Sequence, residues 1–340
     1  MSSFEILDAG LLTTVQDLGR HGYQRYGVSQ SGVMDVFSAR VANELVGNLK
    51  EDALLEMTLK GTSIKFLQEM VIAITGAQCE AYINDKKIEL WRSYKVYCGD
   101  KLKIGFLKDG LRAYLSFSGG IDVPLIMGSR STNLKANIGG FEGRKLKIGD
   151  EVKVFSKNIP ILKKLKPEII PRYEKEREIG VILGQQENCF SEKGKETFFA
   201  SEYTVKSESD RMGIRVAGNK VEHIESADII SDGITFGAIQ IPGSGQPIIM
   251  MADRQTIGGY TKIGNVISVD LSKLSQAIPG DTLRFKKIEL EEAVDRIKEE
   301  EELINNKDSY ITISEENINN LYMVVINNHI YNIEIMEIAD

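Results

Sequence analysis

The stretch GAIQIPGSGQPIIMMADRQTIGGY, Gly237 to Tyr260, sets an apolar run directly against four polar residues and a pair of glycines. The run QPIIMMAD from Gln246 has the β-branched, turn-bounded character of a strand. It delivers Asp253, Arg254, Gln255 and Thr256 to an expected turn at Gly258 and Gly259. Runs of the same kind recur as VIAITGA from Val71, SYKVYCGD from Ser93, RAYLSFSGG from Arg112 and NVISVDL from Asn265. The chain therefore reads as mainly β. Three Gly-Asp pairs, Gly99-Asp100, Gly149-Asp150 and Gly280-Asp281, each precede alternating apolar residues. Each predicts a turn whose glycine takes a positive φ and whose aspartate bonds nearby backbone, launching a half-buried strand. Their spacing is too irregular for a solenoid and points to one kind of barrel closure used more than once.

Helices are few. Asp35 is placed to cap VFSARVANELVG, in which Phe37, Val41 and Leu45 share a face and Gly47 supplies the stop. A second helix is expected from about Glu289 to Asn305, its many acidic side chains forming a solvated face. Pro160, Pro167 and Pro171 fall in a Lys-rich segment with no hydrophobic period, which marks a boundary. The expected organisation is an N-terminal β-rich domain over 1–158, a linker over 159–178, a C-terminal barrel over 179–287, and an appendage over 288–340. That appendage holds the acidic helix and a hairpin turning at Asn327 and Asn328.

Composition narrows the function. With 42 Lys+Arg against 49 Asp+Glu the net charge is −7, so there is no basic footprint for nucleic acid. No apolar run is long enough to span a bilayer. The opening MSSFEILDAG carries Glu5 and Asp8 in place of a basic leader, so a cytoplasmic location is expected. The 3 cysteines, Cys79, Cys98 and Cys189, are odd in number and far apart, as reduced thiols are. Phosphate-loop, dinucleotide, metalloprotease and nucleophile-elbow motifs are absent. His21, His223 and His329 stand alone, so neither a His-based triad nor a metal site is expected. Cys79 reads as a small hydrophobe and Trp91 as a packing anchor.

Three polar, glycine-rich segments remain that packing alone does not require. The first, Leu11 to Asp35, carries Asp17, Ser31 and Asp35; the second, Ser207 to Gly218, carries Asp210, Arg211 and Arg215; the third is the opening stretch, with Gln240 besides. A guanidinium fork pairs with a carboxylate or a ureide, and a carboxamide offers both a donor and an acceptor to an amide edge. Backbone N–H groups beside Gly258 and Gly259 could approach an oxyanion closely. The competing reading of neighbouring Asp and Arg is a structural ion pair.

The segments TTVQDLGRHGYQRYGVSQSGVMD, ANELVGN, SESDRMGIR and GAIQIPGSGQPIIMMADRQTIGGYTKIG resemble the family that comprises the C component of 5-oxoprolinase, KipA-like proteins, allophanate hydrolase subunit 2 and biotin-dependent carboxyltransferases. The resemblance runs in order from about Gly10 to Phe285. It implies two cyclophilin-like β-barrel domains with few helices. It also implies a heteromer with a KipI-like B component and an A component that opens 5-oxo-L-proline to L-glutamate, using ATP through a partner. Alternatives within the family are a carboxyltransferase moving a carboxyl group from carboxybiotin to urea or another amide, and a non-catalytic binder of a KipI-type kinase inhibitor. No covalent cofactor is implied here: the tail YMVVINNHIYNIEIMEI resembles the opening of a biotin carrier but lacks the Met-Lys-Met attachment site, so any biotin rides on a separate carrier. Carried onto this sequence, the family pattern makes Asp253 and Arg254 the expected catalytic residues. Asp210, Arg211, Gln240, Gln255, Thr256, Gly258, Gly259, Asp17, Ser31 and Asp35 become the expected substrate-binding residues, around a small amide or ureide.

Overall fold

The computed structural model describes residues 2–156, 158–306, 311–313, 321–326 and 329–334. Strands dominate, and four α-helices accompany them among the described residues: α1 Val36–Leu45, α2 Glu192–Ala200, α3 Ser268–Ser275 and α4 Leu290–Asn305. The N-terminal half supplies nine strands of an eleven-stranded sheet built around two long antiparallel strands, Met70–Ile83 and Lys101–Phe117. Its core gathers Phe4, Ile64, Phe66, Ile72, Leu115 and Phe117, with the rings of Phe4 and Phe117 stacked at 4.5 Å. Two short strands, Lys163–Leu165 from the proline-rich segment and Ile311–Ile313, complete the eleven beside Arg92–Val96.

The C-terminal half is a closed barrel of seven strands. Closure comes from parallel pairing of Glu176–Leu183 with Thr282–Lys287, which leaves the barrel no unpaired edge there. Ile179, Val181, Tyr203, Leu283 and Phe285 fill it, capped by Phe198 from α2. The mainly β reading with few helices holds, and the closed path lies in the C-terminal half, while the N-terminal strands make up most of the eleven-stranded sheet.

The three Gly-Asp turns share one geometry. Gly99, Gly149 and Gly280 have φ of 94°, 84° and 96°. In each, the aspartate carboxylate accepts the backbone N–H three residues back: Asp100 from Tyr97, Asp150 from Lys147 and Asp281 from Ile278. A strand starts at the next residue in every case. Asp35 caps α1 by accepting the Ser38 N–H at 3.0 Å, and Trp91 packs against Phe37 beneath the same helix.

Two local readings need correction. NVISVDL is strand only to Val266; from Ser268 it is α3, because Asp270 turns inward to accept the Gly180 N–H at 2.8 Å. Tertiary bonding outweighs the β-branched propensity there. Likewise Gly258 and Gly259 are not a turn but part of strand Ile257–Tyr260, paired with Asp228–Gly233 as a two-stranded ribbon. The expected terminal hairpin pairs Leu321–Ile326 with His329–Glu334, and its turn residues Asn327 and Asn328 lie outside the described residues.

Candidate active site

Two layers meet where the halves join. The lower layer is a buried ion cluster centred on Arg211. Its Nε donates to Asp253 Oδ2 at 2.8 Å, its Nη1 to Glu56 Oε1, and its Nη2 to the Gly32 carbonyl at 2.6 Å. Asp253 belongs to the barrel half and Glu56, on strand Leu54–Thr58, to the sheet half, so one guanidinium ties the two together. The second carboxylate oxygen of Glu56 accepts the Met34 N–H at 2.8 Å and the Tyr114 hydroxyl at 2.9 Å. Burial alone would weaken the hold of Arg211 on its proton, but Asp253 and Glu56 outweigh it and drive the pKa above the ordinary arginine value.

Arg254 is buried without a carboxylate in bonding contact. Its guanidinium donates to the Ile234 and Met251 carbonyls and to Gln30 Oε1, and lies 5.5 Å from the Phe236 ring centroid. Burial, opposed by the charge of Asp253, pushes its pKa down to about 10. The expected catalytic pair Asp253 and Arg254, and Arg211 with them, thus face inward. A buried ion costs too much to leave unpaired, and each has found protein partners.

The N-terminal segment is placed similarly. Asp17 receives the Gly19 and Arg130 N–H groups and the hydroxyls of Ser129 and Ser131. Ser31 holds φ 57° and receives Asn133 Nδ2 at 3.1 Å, while its N–H reaches across to the Ala252 carbonyl. The second carboxylate oxygen of Asp35 accepts Gln276 Nε2, the Ser38 hydroxyl and the Tyr173 hydroxyl. Burial raises the Asp35 pKa, and the bonds from Gln276, Ser38 and Tyr173 oppose that rise. These side chains order the junction and are closed off by it.

The upper layer is open. A cavity of about 300 Å³ is lined by Asp210, Gln240 and Gln255 together with Lys135, Glu208, Arg215, Met212, Gly213, Ile248, Met250 and Tyr260. Lys135 comes from the sheet half, so both halves complete it. Gly258 lies beside Ile234 and Gln240: a Cβ there would fall 2.6 Å from Ile234 Cδ1 and 2.7 Å from Gln240 Nε2, both the far ends of side chains. Thr256 and Gly259 sit on or next to the ribbon, outside the cavity wall. Cavities of about 480 Å³ around Val123 and Phe141, and of about 420 Å³ around Gln186 and Lys262, gather none of the expected residues. Among the described residues no cluster of three metal-ligating side chains occurs and no helix is long and apolar enough to cross a membrane.

Sequence reading missed Glu56, Tyr114, Gln276 and Lys135. Glu56 alone left a trace: it is the one charge within the apolar run ALLEMT, where a strand would otherwise bury only hydrocarbon.

A family model described as "Carboxyltransferase domain, subdomain A and B" matches residues 26–287. The chain is 39% identical over 290 residues to the C component of 5-oxoprolinase from Haemophilus influenzae, covering 85% of this chain and 92% of that protein. It is 37% identical to the urea amidolyase of Lachancea kluyveri over 83% of this chain but only 17% of that protein. The crystal structure of the Kluyveromyces lactis urea carboxylase superposes with a TM-score of 0.85 at 34% identity, over 92% of this chain and 30% of that one. The buried junction and the open cavity are therefore features of a member of the carboxyltransferase family built from subdomains A and B.

Proposed function

We propose that the chain is the C component of a heteromeric, ATP-dependent 5-oxoprolinase that opens 5-oxo-L-proline to L-glutamate together with its A and B components. The observation that carries this reading is a cavity completed by both halves, in which the carboxamides of Gln240 and Gln255 stand with the Asp210 carboxylate. The near full-length match to a relative named as the C component of 5-oxoprolinase supports it. A lactam presents one C=O and one N–H on a single planar edge. Carboxamides match that edge with a donor and an acceptor, and Asp210 offers a further acceptor for the N–H or for a proton released on hydrolysis. Asp253, Arg254 and Arg211 act from beneath as positioning residues that hold Gln255 and the 207–218 segment in register. Asp17, Ser31 and Asp35 do the same from the other half.

ATP is consumed on a partner, since the sequence carries no recognisable phosphate loop. We take 1–158 and 179–287 as the two domains and 288–340 as an appendage, the linker at 159–178 giving Lys163–Leu165 to the sheet and its last residues, from Glu176, to the barrel strand. The similarity to urea amidolyase and urea carboxylase favours a second reading, transfer of a carboxyl group from carboxybiotin on a separate carrier to an amide.

The test combines this chain with its A and B partners and follows ATP-dependent glutamate release. Activity should vanish when the chain is omitted and fall at least about tenfold with Gln255→Ala, the scale of one lost hydrogen bond to a charged or polarised group. Glutamate release that continues undiminished without the chain would end the proposal, and carboxyl transfer to urea in its place would establish the second reading.

A further inference from the structure

The two arginines expected to grip a ligand are consumed internally, yet the cavity keeps positive charge from another source. Lys135 and Arg215 line it from opposite sides of the junction. Among the described residues neither makes an ion pair: Lys135 Nζ contacts only the Met212 sulfur, a weak acceptor, and the Arg215 guanidinium has no carboxylate partner. Arg215 faces outward on strand Gly213–Ala217, in register with Ile248 on the cavity wall. The two acids of the lining are partly committed. Glu208 pairs with Lys206 at 3.7 Å, and Asp210 Oδ1 accepts the Met212 and Gly213 N–H groups.

We infer that Lys135 and Arg215 form the carboxylate-reading pair of this cavity, so that it selects a small amide bearing a carboxylate over a neutral ureide. The inference rests on the 5-oxoprolinase reading for the identity of the cavity and deepens it by naming what separates the acid substrate from urea. The chemistry is complementary along the molecule. A lactam edge meets the carboxamides and Asp210, and the ring carboxylate meets two cations that no carboxylate of the chain pairs with among the described residues. Charge-assisted bonds of this kind are roughly twice as strong as neutral ones. Urea offers the same amide edge but nothing for Lys135 and Arg215 to hold. Because both side chains are solvent-exposed, the attraction is screened by salt.

The experiment titrates the assembled complex calorimetrically with 5-oxo-L-proline and with its uncharged carboxamide, 5-oxo-L-prolinamide. The wild type should bind the acid at least about tenfold more tightly than the carboxamide, a gap that narrows in high salt. Lys135→Ala and Arg215→Ala should each weaken the acid by about tenfold and leave the carboxamide unchanged, and Lys135→Arg should restore most of the loss. Thermal melts of the variants should match the wild type, since both side chains are exposed. Equal weakening of both ligands, no weakening of either, or no preference in the wild type would overturn the inference. Glutamate release by the same preparations is scored separately. A complex that holds the acid through these two residues but transfers carboxyl groups would sink the 5-oxoprolinase reading alone. One that hydrolyses 5-oxoproline indifferently to both substitutions would sink this inference alone.

Discussion

Arg211 satisfies two carboxylates and a carbonyl at once, and only a planar fork with several N–H donors does so. Removing it would leave Asp253 buried without its bonded cation and Glu56 with only the Arg112 guanidinium, 3.9 Å away. Arg211→Met is therefore expected to cost about 3–5 kcal/mol, the range for breaking a buried pair from one side. Arg211→Lys should recover only part of that loss, because an ammonium cannot span both acids with the same geometry. Chemical denaturation of the purified chain checks the prediction. A variant within about 0.5 kcal/mol of wild type would mean that the cluster does not hold the junction.

Among the secondary-structure elements, α4 is the most charge-laden. Ile304 packs it against the Trp91 cluster and Ala293 against Ile267 and Ile288, while Arg40 donates to both carboxylate oxygens of Glu301. Glu300 is half-buried beside that pair. Burial, reinforced by the charge of Asp35, raises its pKa from 4.5 to about 7; Arg40 opposes the rise, and Glu301 and Asp270 add to it. The sign follows from proton linkage. Between 4.5 and about 7 the folded chain binds more protons at Glu300 than the unfolded chain does, so this group lowers stability as pH rises through that window and contributes a constant penalty above it. Glu300→Gln removes the titration, so the variant should melt above the wild type at about pH 8, with the difference shrinking towards about pH 5. Melting curves at the two pH values decide it, and a variant less stable at the higher pH would reject the assignment.

Across the whole molecule, the two halves are joined by bonds that neither could satisfy alone. Gln276, at the end of α3, accepts the Leu111 and Arg112 N–H groups at 3.0 and 2.9 Å and donates to Asp35 Oδ2 and the Arg112 carbonyl at 2.8 and 3.0 Å. The Ser29 hydroxyl reaches the Arg254 carbonyl at 2.7 Å, and Arg211 bridges to Glu56. Coupling of this kind predicts one cooperative transition in scanning calorimetry rather than one per half. Gln276→Leu strips partners from four groups, three buried and one part-buried, at roughly 1–3 kcal/mol for each buried group left unsatisfied. It should lower the melting temperature and separate the transition into two. Two endotherms already present in the wild type would refute the coupling.

What is local or periodic was legible in the order of residues. Alternation announced the strands, Asp35 the cap of α1, and the three Gly-Asp pairs their turns, because each depends on neighbours within a few residues. The collinear motifs placed the chain in its family, and the polar segments marked the stretches that meet at the junction. Which of those polar groups face solvent was set only by contacts between distant parts of the chain. Arg211 and Arg215 lie four positions apart in one segment, and spacing cannot tell that the first meets Glu56, distant in sequence, while the second opens into a cavity. The same limit hid Lys135, Gln276 and the start of α3. Ion pairing and desolvation are settled between surfaces brought together only when the sheet and the barrel close on one another.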